Sequence, residues 1–329
     1  MRILLWHVHG SWTTSFVQGP HDYVVPVDAE RGPDGRGRAC TWDWPASVTE
    51  VPLDDLADAD FDVVLLQRPH EPALAERLLR RRPGRDIPAV YVEHNTPGAG
   101  AVTSRHPLAG QAEIPVVHVT HFNQLMWDSG RAPTVVIEHG IVDPGPRYTG
   151  REARAAVVIN EPVRRGRAVG TDLLVDLVRH VPVDVFGMQV DLLHQLITCS
   201  DGSMRTFADE PQDRLHDQLA CRRVYVHTHR WTSLGFSLLE AMHLGMPVVV
   251  LAATEAAAIP SDVGCVSTRP DELYAAAVRL LHDPSRAGSA GSAAREFALR
   301  RYGLGRFLDE WDTLLHDVPT RTADLKGVR

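Results

Sequence analysis

Short runs of apolar residues alternate along the chain with longer stretches in which apolar residues recur at helical spacing. The first pattern is typical of buried strands and the second of amphipathic helices. The strands predicted in the amino-terminal half are 2–8, 63–67, 89–93, 116–120 and 135–138, with a helix at 71–82. Because strands alternate with helical stretches, a mostly parallel sheet covered by helices on both faces is predicted.

The alternation starts again after residues 144–150, a stretch rich in Pro and Gly that suits a linker. The strands predicted beyond it are 155–159, 183–186, 224–227, 248–251 and 265–267, and the helices are 170–180, 211–220, 237–244 and 271–281. The fold class is therefore α/β, with two Rossmann-like domains. Since open sheets of this class bind ligands at the carboxyl ends of their strands, we expect the two domains to face one interdomain cleft.

The predicted domain boundaries follow from these patterns. They are an amino-terminal domain over 1–149, a carboxyl-terminal domain over 150–300, a helix over 301–318 that packs back towards the first domain, and a disordered polar tail over 319–329.

Composition narrows the function. The chain of 329 residues is 44% hydrophobic and 23% charged, as in folded proteins, and its net charge of −8 argues against nucleic acid as a partner. Four separated cysteines, at positions 40, 199, 221 and 265, form no C-x-x-C pair, so neither a disulfide framework nor a thiolate metal site is expected. A cytoplasmic location is expected for the same reason. No apolar run reaches ~18 residues, the length of a membrane span; peripheral membrane contact stays open.

The most informative segment is 231–250, WTSLGFSLLEAMHLGMPVVV. A turn of small residues after a predicted strand opens a helix there, and the unpaired amides near Leu234, Gly235 and Phe236 can receive a phosphate. Glu240 lies close enough to accept hydrogen bonds from a ribose diol. An alternative of equal weight on chemistry alone is that Ser237 and Glu240 form a capping box, in which the glutamate pairs only with the helix's own amides.

This segment resembles the signature of retaining glycosyltransferase family 4, which has the GT-B fold. That signature reads Glu, seven residues, Glu, then Ala-Met, a Gly and Pro-Val-Val. The resemblance implies that Glu240 holds the nucleotide ribose, that Ser233 through Phe236 contact the donor, and that the carboxyl-terminal domain binds the nucleotide sugar while the amino-terminal domain serves the acceptor.

Other segments extend the resemblance over ~135–315. Residues 135–143, VVIEHGIVD, resemble V-I-P-N-G-V-D, with Glu138 and His139 in place of Pro and Asn. Residues 164–174 resemble G-R-x-x-x-x-K-G-x-D-L-L, and residues 271–284 resemble the family's D-P-E-E-L and L-L-x-D-P segments.

Two departures concern the donor site. The first glutamate of the signature is Thr232, and the family lysine before Gly170 is Val169. Arg165 and Arg167 are near enough in sequence to replace the lysine, since a guanidinium fork suits phosphate oxygens. The alternative is that these arginines form a solvated basic loop. We expect Arg164 and Arg167 to stabilise the leaving diphosphate, and Arg165 and Thr232 to contact the donor.

In the amino-terminal domain, His94 follows the strand 89–93 and resembles the family histidine that touches the donor sugar. The alternative is a turn residue beside Asn95. Gly10 and Ser11 end the first strand, where the family carries a Gly-rich turn, and are weaker candidates for a donor contact.

Two histidine pairs, His118 with His121 and His227 with His229, have the spacing of metal ligands, but neither has an obvious third ligand nearby. No metal and no cofactor are expected. The function predicted is transfer of a hexosyl-type sugar from a nucleoside-diphosphate sugar to the hydroxyl of a small molecule or glycan, with retention. The alternative is a noncatalytic nucleotide-sugar-binding or scaffold protein on the same fold. A dinucleotide oxidoreductase is disfavoured because no G-x-G-x-x-G follows a strand.

Overall fold

The structure is a computed structural model that describes the backbone of residues 1–98, 100–197 and 202–327, and side chains as far as residue 319. Cys199 lies outside the described residues. Within them, no helix is both long enough and apolar enough to cross a bilayer.

The described residues form β-strands and α-helices with the following bounds. The strands are β1 (Arg2–Leu5), β2 (Asp22–Val27), β3 (Val48–Pro52), β4 (Val63–Leu66), β5 (Ala89–Glu93), β6 (Val116–His118), β7 (Thr134–Val136), β8 (Glu152–Val158), β9 (Val183–Gly187), β10 (Met204–Ala208), β11 (Arg222–His227), β12 (Val248–Leu251) and β13 (Gly264–Ser267). The α-helices are α1 (Gly10–Phe16), α2 (Glu71–Leu79), α3 (His121–Met126), α4 (Pro162–Arg165), α5 (Thr171–Leu177), α6 (Gln212–Cys221), α7 (Phe236–Leu244), α8 (Pro270–His282), α9 (Pro284–Tyr302) and α10 (Leu304–Gly327).

The chain forms two compact units. Unit 1 contains Met1–Val142 and Leu304–Arg329, and unit 2 contains Asp143–Gly303. The helix α10 therefore returns to unit 1, where Trp311 packs edge-on against Trp12 and Phe16, at ring centroid distances of 5.7 and 5.1 Å. Its helical backbone continues to Gly327, through the segment for which the sequence predicts a disordered tail.

Unit 1 is built on a seven-stranded sheet in the order β3-β2-β1-β4-β5-β6-β7, in which every neighbouring pair is parallel. Its central strands consist almost wholly of buried apolar residues because helices cover both faces of such a sheet.

Unit 2 is built on a six-stranded parallel sheet in the order β10-β9-β8-β11-β12-β13. Both sheets therefore contain the strand order 3-2-1-4-5-6 of the doubly wound fold. In that order, successive strands are added first on one side of the first strand and then on the other. This change of side opens a crevice at the carboxyl ends of β1 and β4 in unit 1 and of β8 and β11 in unit 2.

Three strands, β2, β3 and β10, carry no strand prediction in the sequence analysis. β3 and β10 are edge strands with exposed positions, so neither has a continuous apolar run. β2 is interrupted by Pro26, which cannot donate to a sheet ladder.

A buried ion cluster joins four strands of unit 2. The carboxylate of Asp184 on β9 is fully buried and accepts hydrogen bonds from Arg154 on β8, at 2.6 Å, Arg205 on β10, at 2.8 Å, and Arg222 on β11, at 2.8 Å. Burial by itself raises the pKa of Asp184, but the hydrogen bonds from the three guanidinium groups outweigh it, and the net shift is downward. The carboxylate is therefore ionised, and it neutralises part of the arginine charge.

Asp184→Ala removes the only carboxylate that all three arginines share among the described residues. Because it leaves the buried guanidinium of Arg222 with Glu152, at 4.0 Å, as its remaining carboxylate, we expect the free energy of unfolding to fall by about 3–5 kcal/mol. Urea unfolding measures the change. Asp217→Ala, which breaks an exposed pair with Arg147, is the matched control and should cost less than about 1 kcal/mol. Equal losses in the two variants would show that the cluster adds nothing beyond a surface ion pair.

Candidate active site

The crevice of unit 2 is formed by two loops that are hydrogen-bonded to each other. The hydroxyl of Thr228, just after β11, donates to the carbonyl oxygen of Val169 at 2.8 Å. The amides of Arg230 and Trp231 both donate to the carbonyl oxygen of Ala168, at 2.9 and 3.0 Å. These bonds fix the loop that follows β8 against the loop that follows β11.

Gly170 makes this close approach possible. Its φ of +78° lies in the left-handed region, and a Cβ built on it would lie 2.0 Å from the carbonyl oxygen of Thr228. A side chain is therefore excluded at this position. The preceding residue, Val169, is fully buried in the core of unit 2. The position at which the family carries a lysine is thus occupied by a side chain that faces away from any ligand.

The three candidate arginines have different surroundings. Arg164 forms a bidentate ion pair with Glu161, and its Nε lies 2.8 Å from Oε1. Arg167 donates to Asp172 at 2.7 Å, and Arg230 binds the same carboxylate. The side chains of Arg164 and Arg167 are largely exposed. Both are already neutralised by carboxylates of unit 2.

Arg165 differs from its neighbours. Its side chain is half-buried, and no carboxylate of the described residues lies within ion-pair distance of it. Burial, followed by the charge of Arg164, lowers the pKa of Arg165. A guanidinium in such surroundings is stabilised when an anion binds beside it, so Arg165 is the best-placed of the three to hold a phosphate.

The helix α7 begins without a side-chain cap. Gly235 is its N-cap residue, in an extended conformation, and as a glycine it has no side chain that could cap the helix. Ser237 lies inside the first turn, and its hydroxyl accepts a hydrogen bond from Tyr225 at 2.9 Å. The capping box considered for Ser237 and Glu240 is therefore not formed, because Ser237 is not the N-cap residue.

The other residues of the motif have separate positions. Ser233 and Leu234 are buried, whereas Thr232 and Phe236 are half-buried. The side chain of Leu234 thus packs inside the protein, and only its backbone is suited to a ligand contact. Thr232 brings a neutral hydroxyl to the position at which the family signature has its first glutamate.

Glu240 is held by α6. The side-chain amide of Gln212 donates to its Oε1 at 2.7 Å, and Nε2 of His216 lies 3.7 Å from Oε2, beyond hydrogen-bond distance. Gln212 and His216 are themselves 3.0 Å apart. The carboxylate is thus oriented through one oxygen, and its Oε2 is left to accept a hydrogen bond from a ligand. Sequence reasoning missed Gln212 and His216 because only the pairing of α6 with α7 brings them to Glu240.

In unit 1, Gly10 and Ser11 form the start of α1, which is seven residues long. A Cβ on Gly10 would lie 2.3 Å from the ring of Trp42. The close approach that requires glycine here is therefore made by a tryptophan of the same unit.

His94 lies directly after β5 and is 7% exposed. Its Nε2 is 3.0 Å from Oε1 of Gln67, whose amide nitrogen donates to the carbonyl oxygen of Trp6 at 2.8 Å. Since Oε1 can only accept, Nε2 of His94 carries a proton. Burial, followed by the nearby His9 and His139, lowers the pKa of His94 well below its ordinary value.

His94, His9 and His139 form a cluster that the sequence does not predict. The rings of His9 and His94 are 4.1 Å apart at their centroids. Burial is the main cause of the low pKa values, about 4 for His9 and about 3 for His139. All three rings are therefore neutral at pH 7. The only signal in the sequence is that His139 replaces the asparagine of the family motif.

The two histidine pairs considered as metal ligands have other surroundings. His227 and His229 are stacked, with ring centroids 4.4 Å apart and an interplanar angle of 14°. Nε2 of His118 is 3.3 Å from the hydroxyl of Ser129. Among the residues that the structure describes, no group of three or more His, Cys, Asp or Glu side chains is arranged to hold a metal ion.

The buried His139 makes stability depend on pH. Its pKa is lower in the folded than in the unfolded chain, so the unfolded chain takes up a proton below pH ~6.5 and the folded chain does not. Between pH 7 and pH 4.5, wild type should therefore lose about 2 kcal/mol more of its free energy of unfolding than His139→Asn does. Urea unfolding at both pH values measures this difference. The exposed His70→Asn should leave the pH dependence as it is, and an unchanged dependence in His139→Asn would contradict the assignment.

Part of the chain is similar to a known family of glycosyltransferases. A family model described as "Glycosyl transferases group 1" matches residues 184–283. A search of curated protein sequences finds no match.

Solved structures with the same fold cover nearly the whole chain. HepE of Anabaena, crystallised in complex with UDP, has a TM-score of 0.70 and 16% identity over 96% of this chain and 99% of its own. Sucrose-phosphate synthase from Thermosynechococcus elongatus has a TM-score of 0.70 and 13% identity over 96% of this chain and 98% of its own. AviGT4, a glycosyltransferase involved in avilamycin A biosynthesis, has a TM-score of 0.62 and 14% identity over 97% of this chain and 98% of its own.

These findings confirm the predicted fold of two Rossmann-like domains and the predicted resemblance to GT-B glycosyltransferases. The sequence match over 184–283 covers β9 through α8 of unit 2, the part of the chain that contains α7 and Glu240. The chain therefore has the GT-B fold, and its unit 2 contains a segment that is similar to the glycosyl transferases group 1.

Proposed function

We propose that the protein transfers a hexosyl-type sugar from a nucleoside-diphosphate sugar to an acceptor hydroxyl, with retention and without a metal ion. The observation that carries this proposal is the carboxylate of Glu240, which is oriented by Gln212 and leaves Oε2 for a ligand. A ribose diol supplies the donors that such an oxygen needs. HepE, which shares this fold, was crystallised with UDP-glucose, and this favours the same class of donor here.

In the proposed complex, unit 2 holds the donor. Glu240 binds the ribose, the amides at the start of α7 receive the diphosphate, and Arg165 pairs with a phosphate oxygen. Arg164 and Arg167 have a smaller part than their sequence position suggests, because each already pairs with a carboxylate.

The chemistry proposed follows from these groups. The bond between the anomeric carbon and the diphosphate oxygen breaks, and the acceptor oxygen forms its bond on the same face of the sugar. The acceptor proton passes to a phosphate oxygen. Negative charge grows on the leaving diphosphate, and Arg165 with the α7 amides stabilises it without a metal ion.

His94 of unit 1 is proposed to touch the donor sugar, with Gly10 and Ser11 as weaker candidates. A neutral ring suits this task because a sugar presents hydroxyl groups rather than charge. We also propose a cytoplasmic location, which the unpaired thiols of Cys40, Cys221 and Cys265 favour.

A noncatalytic nucleotide-sugar-binding protein is the second candidate. Two observations favour it: Thr232 lacks the carboxylate of the family signature, and Val169 is buried where the family has a lysine. A binder gains nothing from contacts that strengthen in the transition state, so variants that separate rate from affinity decide between the two candidates.

Glu240→Gln tests the ribose contact. The amide keeps the size of the side chain but removes the charge that attracts the diol, so affinity for the nucleotide sugar should fall by about 1–3 kcal/mol. The free energy of unfolding should change by less than about 1 kcal/mol. Calorimetric titration and urea unfolding measure the two, with the exposed Glu296→Gln as control. A large loss of stability with unchanged affinity would make Glu240 a structural residue.

Arg165→Ala tests the diphosphate contact, with Arg164→Ala as its neighbour and control. Loss of a group that stabilises developing charge should lower turnover ~10–1,000-fold in Arg165→Ala, and by more than it weakens donor binding. Arg164→Ala should change turnover much less because Glu161 already neutralises that side chain. Donor hydrolysis and transfer are assayed in EDTA, so that turnover in wild type also shows that a divalent ion is dispensable.

Two results would contradict this proposal. If Arg164→Ala alone loses turnover, the diphosphate binds on the exposed side of α4. If wild type binds a nucleotide sugar but neither hydrolyses nor transfers it, and Arg165→Ala changes affinity alone, the protein is a binder.

A further inference from the structure

Three aromatic side chains form a row on one face of the chain that contains β11. Alternate residues of a strand share a face, and Tyr225, His227 and His229 are spaced in this way. The rings of Tyr225 and His227 have centroids 6.3 Å apart with an interplanar angle of 23°, and those of His227 and His229 have centroids 4.4 Å apart. The row ends at His229, inside the loop that forms the crevice of unit 2.

The row lies against the start of α7. A Cβ on Gly235, the N-cap residue, would be 2.8 Å from Cε1 of His227, so the backbone of the cap touches this ring. Tyr225 is joined to the first turn of α7 through its bond to Ser237. The imidazole of His227 is therefore a neighbour of the amides to which the proposed function assigns the diphosphate, and His229 stacks on it.

The two imidazoles share an unusual feature. Within the described part of the chain, Nδ1 of His227 and Nδ1 of His229 are both buried and have no hydrogen-bond partner. Buried polar atoms of native proteins nearly always have one, so each of these atoms needs an explanation. A bare acceptor nitrogen is easier to bury than an N–H group that lacks an acceptor. The proton of the neutral ring is therefore on Nε2.

The charges around His229 keep its ring neutral. Burial, followed by the positive charge of Arg165 on α4, lowers the pKa of His229 to about 4. The ring stacked against it, His227, has a pKa well below its ordinary value for the same main reason. The first turn of α7 carries no acidic residue, and Asp172 of α5 is paired with Arg167 and Arg230. Burial and the charge of Arg165 both disfavour a second proton on this ring.

We infer that His229 binds the donor diphosphate as a neutral imidazole, with Nε2–H donating a hydrogen bond to a phosphate oxygen beside the guanidinium of Arg165. The inference rests on the proposed function. His229 supplies a directional hydrogen bond and Arg165 supplies positive charge. Together they replace the family lysine, whose position Val169 occupies. Because the ring does not titrate near neutrality, His229 adds no pH dependence to donor affinity in that range.

His229→Ala and His229→Gln separate the hydrogen bond from the ring. The amide nitrogen of glutamine reaches about as far as Nε2 and is also a neutral donor. We expect His229→Ala to weaken binding of UDP-glucose ~10-fold or more, the range of one hydrogen bond to a charged group, and His229→Gln to stay within ~3-fold of wild type. The exposed His282→Ala is the control. If UDP-glucose does not bind wild type, GDP-, ADP- and TDP-glucose are titrated in the same way.

Proton uptake tests the neutral state. Calorimetric titrations at pH 6, 7 and 8, in buffers with different ionisation enthalpies, report the protons taken up on binding. A sugar nucleotide is the right probe, because its diphosphate is esterified at both ends and does not titrate in this range. We expect the same proton uptake, and the same change of affinity with pH, in wild type and in His229→Gln. In ¹⁵N-histidine spectra, the signal that is missing from His229→Gln should have the shifts of a neutral ring protonated at Nε2, with and without the sugar nucleotide.

The results distinguish this inference from the proposed function. If wild type binds no sugar nucleotide, both fail. If wild type binds and Glu240→Gln weakens binding while His229→Ala does not, only the role of His229 is overturned. A proton taken up by wild type but not by His229→Gln, a cationic spectrum, a ring protonated at Nδ1, or a glutamine variant as weak as the alanine variant would each overturn the neutral hydrogen bond. The spectra also show whether the variants fold.

Discussion

The contact between Gly170 and the carbonyl oxygen of Thr228 determines how the site of unit 2 is built. It brings the loop after β8 against the loop after β11, and hydrogen bonds from Thr228, Arg230 and Trp231 hold the two together. The residue before Gly170 is Val169, whose side chain is fully buried in the core of unit 2. This loop therefore provides no cation at the position of the family lysine.

The distribution of charge follows from this arrangement. Arg230 crosses to Asp172, which also binds Arg167, so two guanidinium groups and one carboxylate are used to fasten the loops. Arg164 is paired with Glu161, the residue before α4. Arg165 keeps its charge without a carboxylate partner among the described residues, and that charge lowers the pKa of His229. Of the three arginines in this basic segment, one is thus left without a carboxylate partner among the described residues.

Both units contain histidine side chains that are buried and neutral. Burial keeps His9, His94 and His139 uncharged in unit 1, and His227 and His229 uncharged in unit 2. Neutral rings donate and accept hydrogen bonds without adding charge, which suits contacts with sugar hydroxyls and allows an adjacent arginine to remain the main cation.

The sequence by itself determined the alternation of strands and helices, the two Rossmann-like domains and the segment 231–250, because buried parallel strands and a glycine-opened helix leave local patterns. It did not determine the edge strands β3 and β10, whose exposed positions break the apolar run. The tertiary structure alone decided that Gln212 orients Glu240, that Arg165 and not Arg164 lacks a carboxylate, and that His229 stacks on His227. Each of these depends on contacts between residues that are distant in sequence, or on which side chains the fold buries. Local sequence patterns predict neither the contacts nor the burial.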